Sequence, residues 1–289
     1  MAKERYLKGD AMPFAKQMKR LINSKDFSDI KFIVGDSRKQ IRAHRCILAS
    51  RCEVFRAMFA DQNNKEDTPY VMSDVDPDVF LTVLEFIYTN CVALSTKNAF
   101  EVLSCSIEYG LDDLRKVCVA FLMDSLSVSS CCEVLQSAVS YGQEDLKAKA
   151  LAFIDKNTQS VIKTKGFQEL SAEAVCCTLQ SSKLTADEPD IIAAVREWAA
   201  ANSQTLTRQP MQKVIQSVVR HIRLALLAPD ELKQLERENE AQQIIPVTAI
   251  AAAWKFHALH ESELGNPQTQ LRQGTISRPS HRGLHHWDM

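Results

Sequence analysis

Nowhere in this 289-residue chain does an apolar run approach the ~20 residues that a membrane-spanning helix needs, so no membrane partner is expected. No sign of charge is in excess either: 35 Lys and Arg stand against 36 Asp and Glu, for a net charge of −1. A nucleic-acid protein needs clustered cations to displace counterions, and their absence argues against that class. There are nine cysteines, an odd number, and none forms a C-x-x-C pair. Two sets are adjacent, Cys131-Cys132 and Cys176-Cys177, a poor arrangement for tetrahedral metal ligation. They read as reduced thiols packed as small hydrophobes, not as a zinc or disulfide framework. The opening MAKERYLKGD is charged from residue 3 and lacks the apolar core of a secretory leader. The expectation is therefore a cytoplasmic protein, with the nucleus open as a second compartment.

The length suits about two domains at ~150 residues each. The most informative feature present is a doubling. EYGLDDLRKVCVAFL (108–122) and SYGQEDLKAKALAFI (140–154) pair Tyr109 with Tyr141, Gly110 with Gly142, Leu114 with Leu146 and Phe121 with Phe153. Helical-hairpin arrays use periods in this range, but they stack at least ~3 copies, and no third copy is found. The reading is a doubled helical hairpin, not a solenoid.

Upstream, Phe14, Met18, Leu21 and Ile22 fall on one face of a helix expected over 13–24, with Pro13 in its first turn. Ile30, Phe32 and Val34 alternate as in a strand, Gly35-Asp36-Ser37 is turn chemistry, and 39–43 returns as a second arm. Ser50-Arg51-Cys52-Glu53 fits a capping box opening a helix through Val54, Phe55, Met58 and Phe59. A polar loop DQNNKEDT (61–68) precedes a short strand at Tyr70–Met72, and Asp76-Pro77 starts another helix. Helices then follow almost without break, including 187–202, 208–222, 229–239 and 247–260. Beyond 262 the pattern ends, and the Gly-, Pro-, Gln-, Ser- and Arg-rich remainder reads as a disordered tail.

FSDIKFIVGDSRKQIRAHRCILASRCEVFRAMF (27–59) strongly resembles the core of the BTB/POZ domain: Asp29 behind Phe27, the strand 30–34, Ala43-His44-Arg45, Leu48 with Ser50, and Phe55 with Met58-Phe59. Phe86-Ile87-Tyr88-Thr89 matches a later helix end of that family. Phe167-Gln168-Glu169-Leu170-Ser171, Trp198 and the segment His221–Pro229 resemble the BACK domain that follows BTB in adaptor proteins. The resemblance implies an α+β BTB/POZ domain over 12–126, with short strands and a helical cluster. An all-α BACK-like domain of helical hairpins follows over 128–260, then the tail, 261–289. No blade-length repeat follows, so the likeness is to the branch without a kelch propeller. The first hairpin copy would close BTB and the second would open BACK, stacked on it; a common packing solution is the alternative.

The resemblance implies a non-enzymatic adaptor needing no cofactor or metal. Its partners would be itself as a homodimer or other BTB proteins, a cullin of a RING ubiquitin ligase, and an unnamed target. The alternative is an oligomeric scaffold without ligase function. Phe14, Met18, Leu21 and Ile22 would form the dimer interface, against packing on the chain's own core. Asp29 and Arg45 would form a charged groove pair, either recruiting peptides or acting as a structural ion pair. The candidate cullin contact is Phe59, Asn63, Asn64, Lys65, Glu66 and Tyr70. Here the sequence departs from the family's hydrophobic-x-Glu motif, because Asn64-Lys65-Glu66 lacks the apolar anchor. His44 and Cys46 lack a third orienting group for nucleophilic catalysis. His257 reads as a core or capping histidine, His281, His285 and His286 as solvated tail residues, and DELKQLERENE as a solvated face.

Overall fold

A computed structural model describes residues 9–60, 68–205, 210–259 and 267–281. The chain divides into two compact units at Asp124/Ser125. The architecture is mostly helical, with one three-stranded sheet in the first unit.

The first unit opens with α1 (Ala11–Lys19), whose Met12 N–H is capped by the Asp10 carboxylate. The helix is shorter than its apolar spacing suggests. After Arg20 the chain continues in i→i+3 turns, Leu21 N–H to Met18 O and Ile22 N–H to Lys19 O. Phe14, Met18, Leu21 and Ile22 therefore do not lie on one regular helical face.

Strands β1 (Ile30–Val34) and β2 (Lys39–Ala43) pair antiparallel with Phe32 opposite Ile41. Gly35 turns between them at φ +67°, where a Cβ would sit 2.9 Å from Pro77 Cδ, so both conformation and space require glycine. Next come α2 (Arg45–Arg51) and α3 (Glu53–Ala60). The expected capping box does not form. Ser50 lies in the last turn of α2 and its hydroxyl donates to Ile47 O; extended backbone at Cys52 separates the helices. A serine in a helix's final turn can satisfy itself on a carbonyl behind it, which the S-x-x-E spacing does not reveal.

Strand β3 (Tyr70–Met72) joins β1 in parallel, giving the order β2-β1-β3. Then α4 (Pro77–Thr89) starts where Asp76-Pro77 puts it, with the Asp76 carboxylate accepting from Asp78 and Val79 N–H. Helices α5 (Ala99–Glu108) and α6 (Asp112–Asp124) close the unit. Its centre is aromatic. Phe32 is wholly buried, with ring centroids of Phe80, Phe55 and Tyr70 at 5.1, 5.8 and 6.0 Å.

The second unit begins with α7 (Cys131–Ser140) and α8 (Glu144–Lys156), and the sequence doubling reappears as geometry. Gly110 and Gly142 both turn in the left-handed region, at φ +64° and +63°. Leu111 N–H reaches back to Ser106 O as Gln143 N–H does to Ala138 O. Short α9 (Thr158–Val161) and α10 (Lys165–Gln168) lead to α11 (Ala172–Gln180) and the long α12 (Glu188–Thr205). There Trp198, buried, donates its indole N–H to Leu170 O at 2.7 Å. Within the expected helix 208–222 the described residues form α13 (Met211–Gln216) and a 3₁₀ turn at Val219–His221. A second 3₁₀ turn (Leu224–Leu226), α14 (Pro229–Gln242) and α15 (Val247–Leu259) follow.

The expectation of a disordered tail is overturned over 267–281, which packs into this unit. Arg272 and Glu188 are both wholly buried and pair at 2.8 Å. The same guanidinium donates to the carbonyls of Leu179, Ser181 and His221. Arg278 pairs with Asp187 at 2.6 Å and Glu231 at 2.9 Å. His281, read earlier as solvated, is buried; its ring bonds Leu226 O and accepts from Arg278 N–H. Composition suggested disorder because the segment has few apolar residues. Directional charge-assisted bonds hold it instead.

Burial alone would raise the Asp187 carboxyl. Hydrogen bonds from the Arg278 side chain and Ile276 N–H outweigh it and hold the group below its ordinary value. Burial pulls the Arg223 guanidinium down to about 10, helped by the charge of Arg272 and opposed by Glu188.

Replacing Phe32 by Ala should cost about 3–5 kcal/mol in denaturant unfolding. Ile33→Ala on the half-buried opposite face should cost less, and equal losses would contradict the aromatic centre. The depressed Asp187 pKa means its contribution is present above the ordinary carboxylate value of ~3.9 and lost as pH falls through the lower folded value. Amide-exchange protection of Gln273, Gly274 and Ile276, corrected for intrinsic rates, should show this acid step in the native chain. Asp187→Asn should lack it; identical profiles would refute the assignment.

Candidate interaction surfaces

Strand pairing builds the first candidate site. Ile30 opposite Ala43 extends through Asp29 N–H to Ala43 O, so residue 29 reaches the start of α2. The Asp29 carboxylate accepts from Arg45 N–H at 2.8 Å, using one of the orphan donors of the helix terminus. Among the described residues the two side chains make no ion pair with each other. The Arg45 guanidinium instead lies over rings, 5.3 Å from the Phe59 centroid and 5.9 Å from that of Tyr70. The charged pair is thus a contact of side chain to backbone plus a cation–π contact. Lys31, Arg42 and Arg45 stand around Asp29 in a cavity of about 250 Å³, so the cleft is cationic on balance.

Of the candidate cullin contacts, Phe59 is half-buried, stacked on Phe55 (5.9 Å, 20°) and edge-on to Tyr70 (5.6 Å, 67°). Tyr70 is buried and its hydroxyl donates to Met58 O. Asn63, Asn64, Lys65 and Glu66 lie outside the described residues.

In helix α1 Ala15 is buried, the helix packs on α4, and Lys19 pairs with Glu85 there. Met12 and Phe14, two positions apart and so on different faces, are 60 % and 58 % exposed, while Met18, Leu21 and Ile22 are half-buried. Sequence spacing missed Met12, and it missed Phe27, which is 91 % exposed at φ +56°. No helical or strand period marks a single turn residue of that kind.

His44 and Cys46 do not form a catalytic pair. The His44 Nε2–H donates to Asp26 O, and Nδ1 accepts from the Tyr88 hydroxyl, which itself accepts from His44 N–H. This closed circuit holds the ring in one tautomer. Burial pushes Tyr88 up to about 12 against the lowering effect of the His44 N–H. Burial likewise raises the thiols of Cys105 and Cys118 to about 12, which leaves them poor nucleophiles. Among the described residues, no cluster of His, Cys, Asp and Glu is arranged to hold a metal, and no helix is long and apolar enough to cross a membrane.

The sheet with its helical cluster, followed by helical hairpins, coincides with two sequence profiles: BTB/POZ domain over residues 18–126 and BTB And C-terminal Kelch over 131–237. BTB/POZ domain-containing protein 19 of Bos taurus is 46% identical over 279 residues, 96% of this chain and 95% of the relative. The chain belongs to the BTB/POZ–BACK family. The Homo sapiens BTB/POZ domain-containing protein 19 is 45% identical over 278 residues, again 96% of this chain and 95% of the relative. More distantly, Kelch-like protein 40 of Xenopus laevis is 25% identical over 225 residues, 77% of this chain but 36% of its own length. Membership in this family supports a protein-interaction role.

If Asp29 acts on the backbone of α2, Asp29→Ala should cost about 0.5–2 kcal/mol, as helix caps do. The cost should be the same in an Arg45→Met background. A double-mutant cycle read by denaturant unfolding would reveal an ion pair as a coupling above about 0.5 kcal/mol.

Proposed function

We propose that the chain is a non-enzymatic adaptor that self-associates through its BTB unit and presents its BACK unit to a target protein, serving a cullin-RING ubiquitin ligase. The observation that carries this is the apolar exposure on α1. Met12 and Phe14 stand exposed on a helix already anchored to its own unit through Ala15. An isologous two-fold contact uses one such patch twice and buries both copies. Dimerisation raises the effective concentration for paired targets.

A second reading, an oligomeric scaffold or a hetero-partner of other BTB proteins without ligase function, is favoured by a specific observation. Asn64-Lys65-Glu66 has no apolar anchor, and Phe59 is already engaged by Phe55, Tyr70 and Arg45.

Sedimentation velocity of the chain, alone and with a cullin N-terminal domain, tests both. The expected result is a species near twice 32.5 kDa that shifts to a larger complex with the cullin. Met12→Asp with Phe14→Asp should return a monomer. A dimer that ignores the cullin at micromolar concentration moves the function to the scaffold, and a wild-type monomer removes the α1 interface.

A further inference from the structure

The segment 267–281 sits in the BACK unit as a peptide sits in a receptor. Apart from two single 3₁₀ turns, Pro267–Thr269 and Pro279–His281, it is irregular. Leu271 is buried, but most of the segment's contacts are polar and directional. Every group that receives it belongs to the body of the unit. Arg272 meets four acceptors: the Glu188 carboxylate and the carbonyls of Leu179, Ser181 and His221. Arg278 meets the carboxylates of Asp187 and Glu231.

The backbone docks as well. Gln273 N–H donates to Ser182 O, Gly274 N–H to Leu184 O, and Ile276 N–H to Asp187 Oδ1. Gly274 lies flat against the chain at Thr185-Ala186, where a Cβ would come within 2.3 Å of backbone, so no other residue fits. The receiving surface thus presents acceptors to both arginines and to three backbone N–H groups, while Arg223 and the Ser182 hydroxyl donate to Gln270. Its key carboxylate is aimed independently of the segment, because Glu188 Oε1 already accepts from Arg223 N–H at 2.6 Å. A planar guanidinium with five donors fits such a socket; a lysine ammonium does not.

Beside the segment lies a cavity of about 720 Å³ bounded by Asp155, Lys183, Arg220, Arg223 and Gln270. Burial raises the Asp155 carboxyl there, against the lowering effect of a hydrogen bond with the Ser181 side chain and the charges of Lys183 and Arg272.

We infer that this cleft of the BACK unit is a recognition groove for extended peptides of the pattern Arg-x-Gly-x-x-x-Arg, and that the chain's own C-terminal segment is its resident occupant. A partner protein carrying that pattern enters by displacing the segment. This goes beyond the adaptor reading and does not rest on dimerisation or on a cullin. It assigns the second unit a ligand chemistry, arginine-bearing and extended, and a state in which its own tail masks it. Held in cis, the segment competes at an effective concentration of roughly millimolar order.

The test uses the full chain with a protease site inserted after Leu259, cut once folded, and a fluorescein-labelled peptide of residues 267–281. Fluorescence anisotropy should show saturable binding to the cut chain and at least tenfold weaker binding to the uncut chain. Peptides with Arg272→Lys, Arg278→Ala or Gly274→Val should each bind at least tenfold more weakly than the native sequence. A second variant guards against simple unfolding: the uncut chain with Arg272→Ala and Arg278→Ala. It should keep its helical circular-dichroism signal and bind the native peptide in trans. No binding by either protein, or loss of helical signal once the segment leaves, would make the segment a part of the core and abolish the groove. Equal binding of the native and Arg272→Lys peptides would overturn the arginine reading.

Discussion

A carboxylate removed from water must be met by cations and hydrogen-bond donors, and Glu188 is wholly buried. Much of the second unit is arranged around that requirement. Glu188 opens α12, the long helix that also carries Trp198. One of its oxygens takes Arg223 N–H from the connection between two 3₁₀ turns, and the other takes Arg272 Nε. Arg223 in turn sends its guanidinium to Gln270 O and Ser182 Oγ. Two arginines and one glutamate thus tie together α11's exit, α12's start and the C-terminal segment. An apolar substitute would fill the volume, but it would not dictate which strand of chain lies there.

The first unit is organised by the opposite chemistry. Its centre is a cluster of rings around Phe32, and its charged residues stay at the rim. Asp29 serves a helix terminus and Arg45 lies across two aromatic faces, so neither needs the other. One unit presents exposed apolar side chains on α1; the other presents acceptors to a cationic segment. That difference in chemistry gives the two units room for different partners on one chain.

What could be read from residues alone followed the range of the interactions involved. Ile30, Phe32 and Val34 announce a strand because alternation is a local property, and Asp76-Pro77 announces a helix start for the same reason. The doubled hairpin was legible as a repeat, though not that its paired glycines would form two left-handed turns. Ser50 misled because its hydroxyl had a nearer carbonyl to satisfy. Leu21 and Ile22 continue the apolar spacing of α1 without continuing its hydrogen bonding. The groove was invisible: Asp187 and Glu188 look like an ordinary acidic helix start, and Arg272 and Arg278 look like the charge of a solvated tail. Only the fold brings residues 84 and 91 positions apart into contact.

That separation has a temporal side. Domains form during synthesis, which proceeds at about 5–20 residues per second, so the ribosome needs roughly 4–17 s to travel from Glu188 to Arg272. When α15 has been made, the buried Glu188 still has no arginine from the segment 267–281. The nascent unit passes through a stage in which Glu188 has yet to meet Arg272, and a stretch translated well after α12 is the one that lets the site dry.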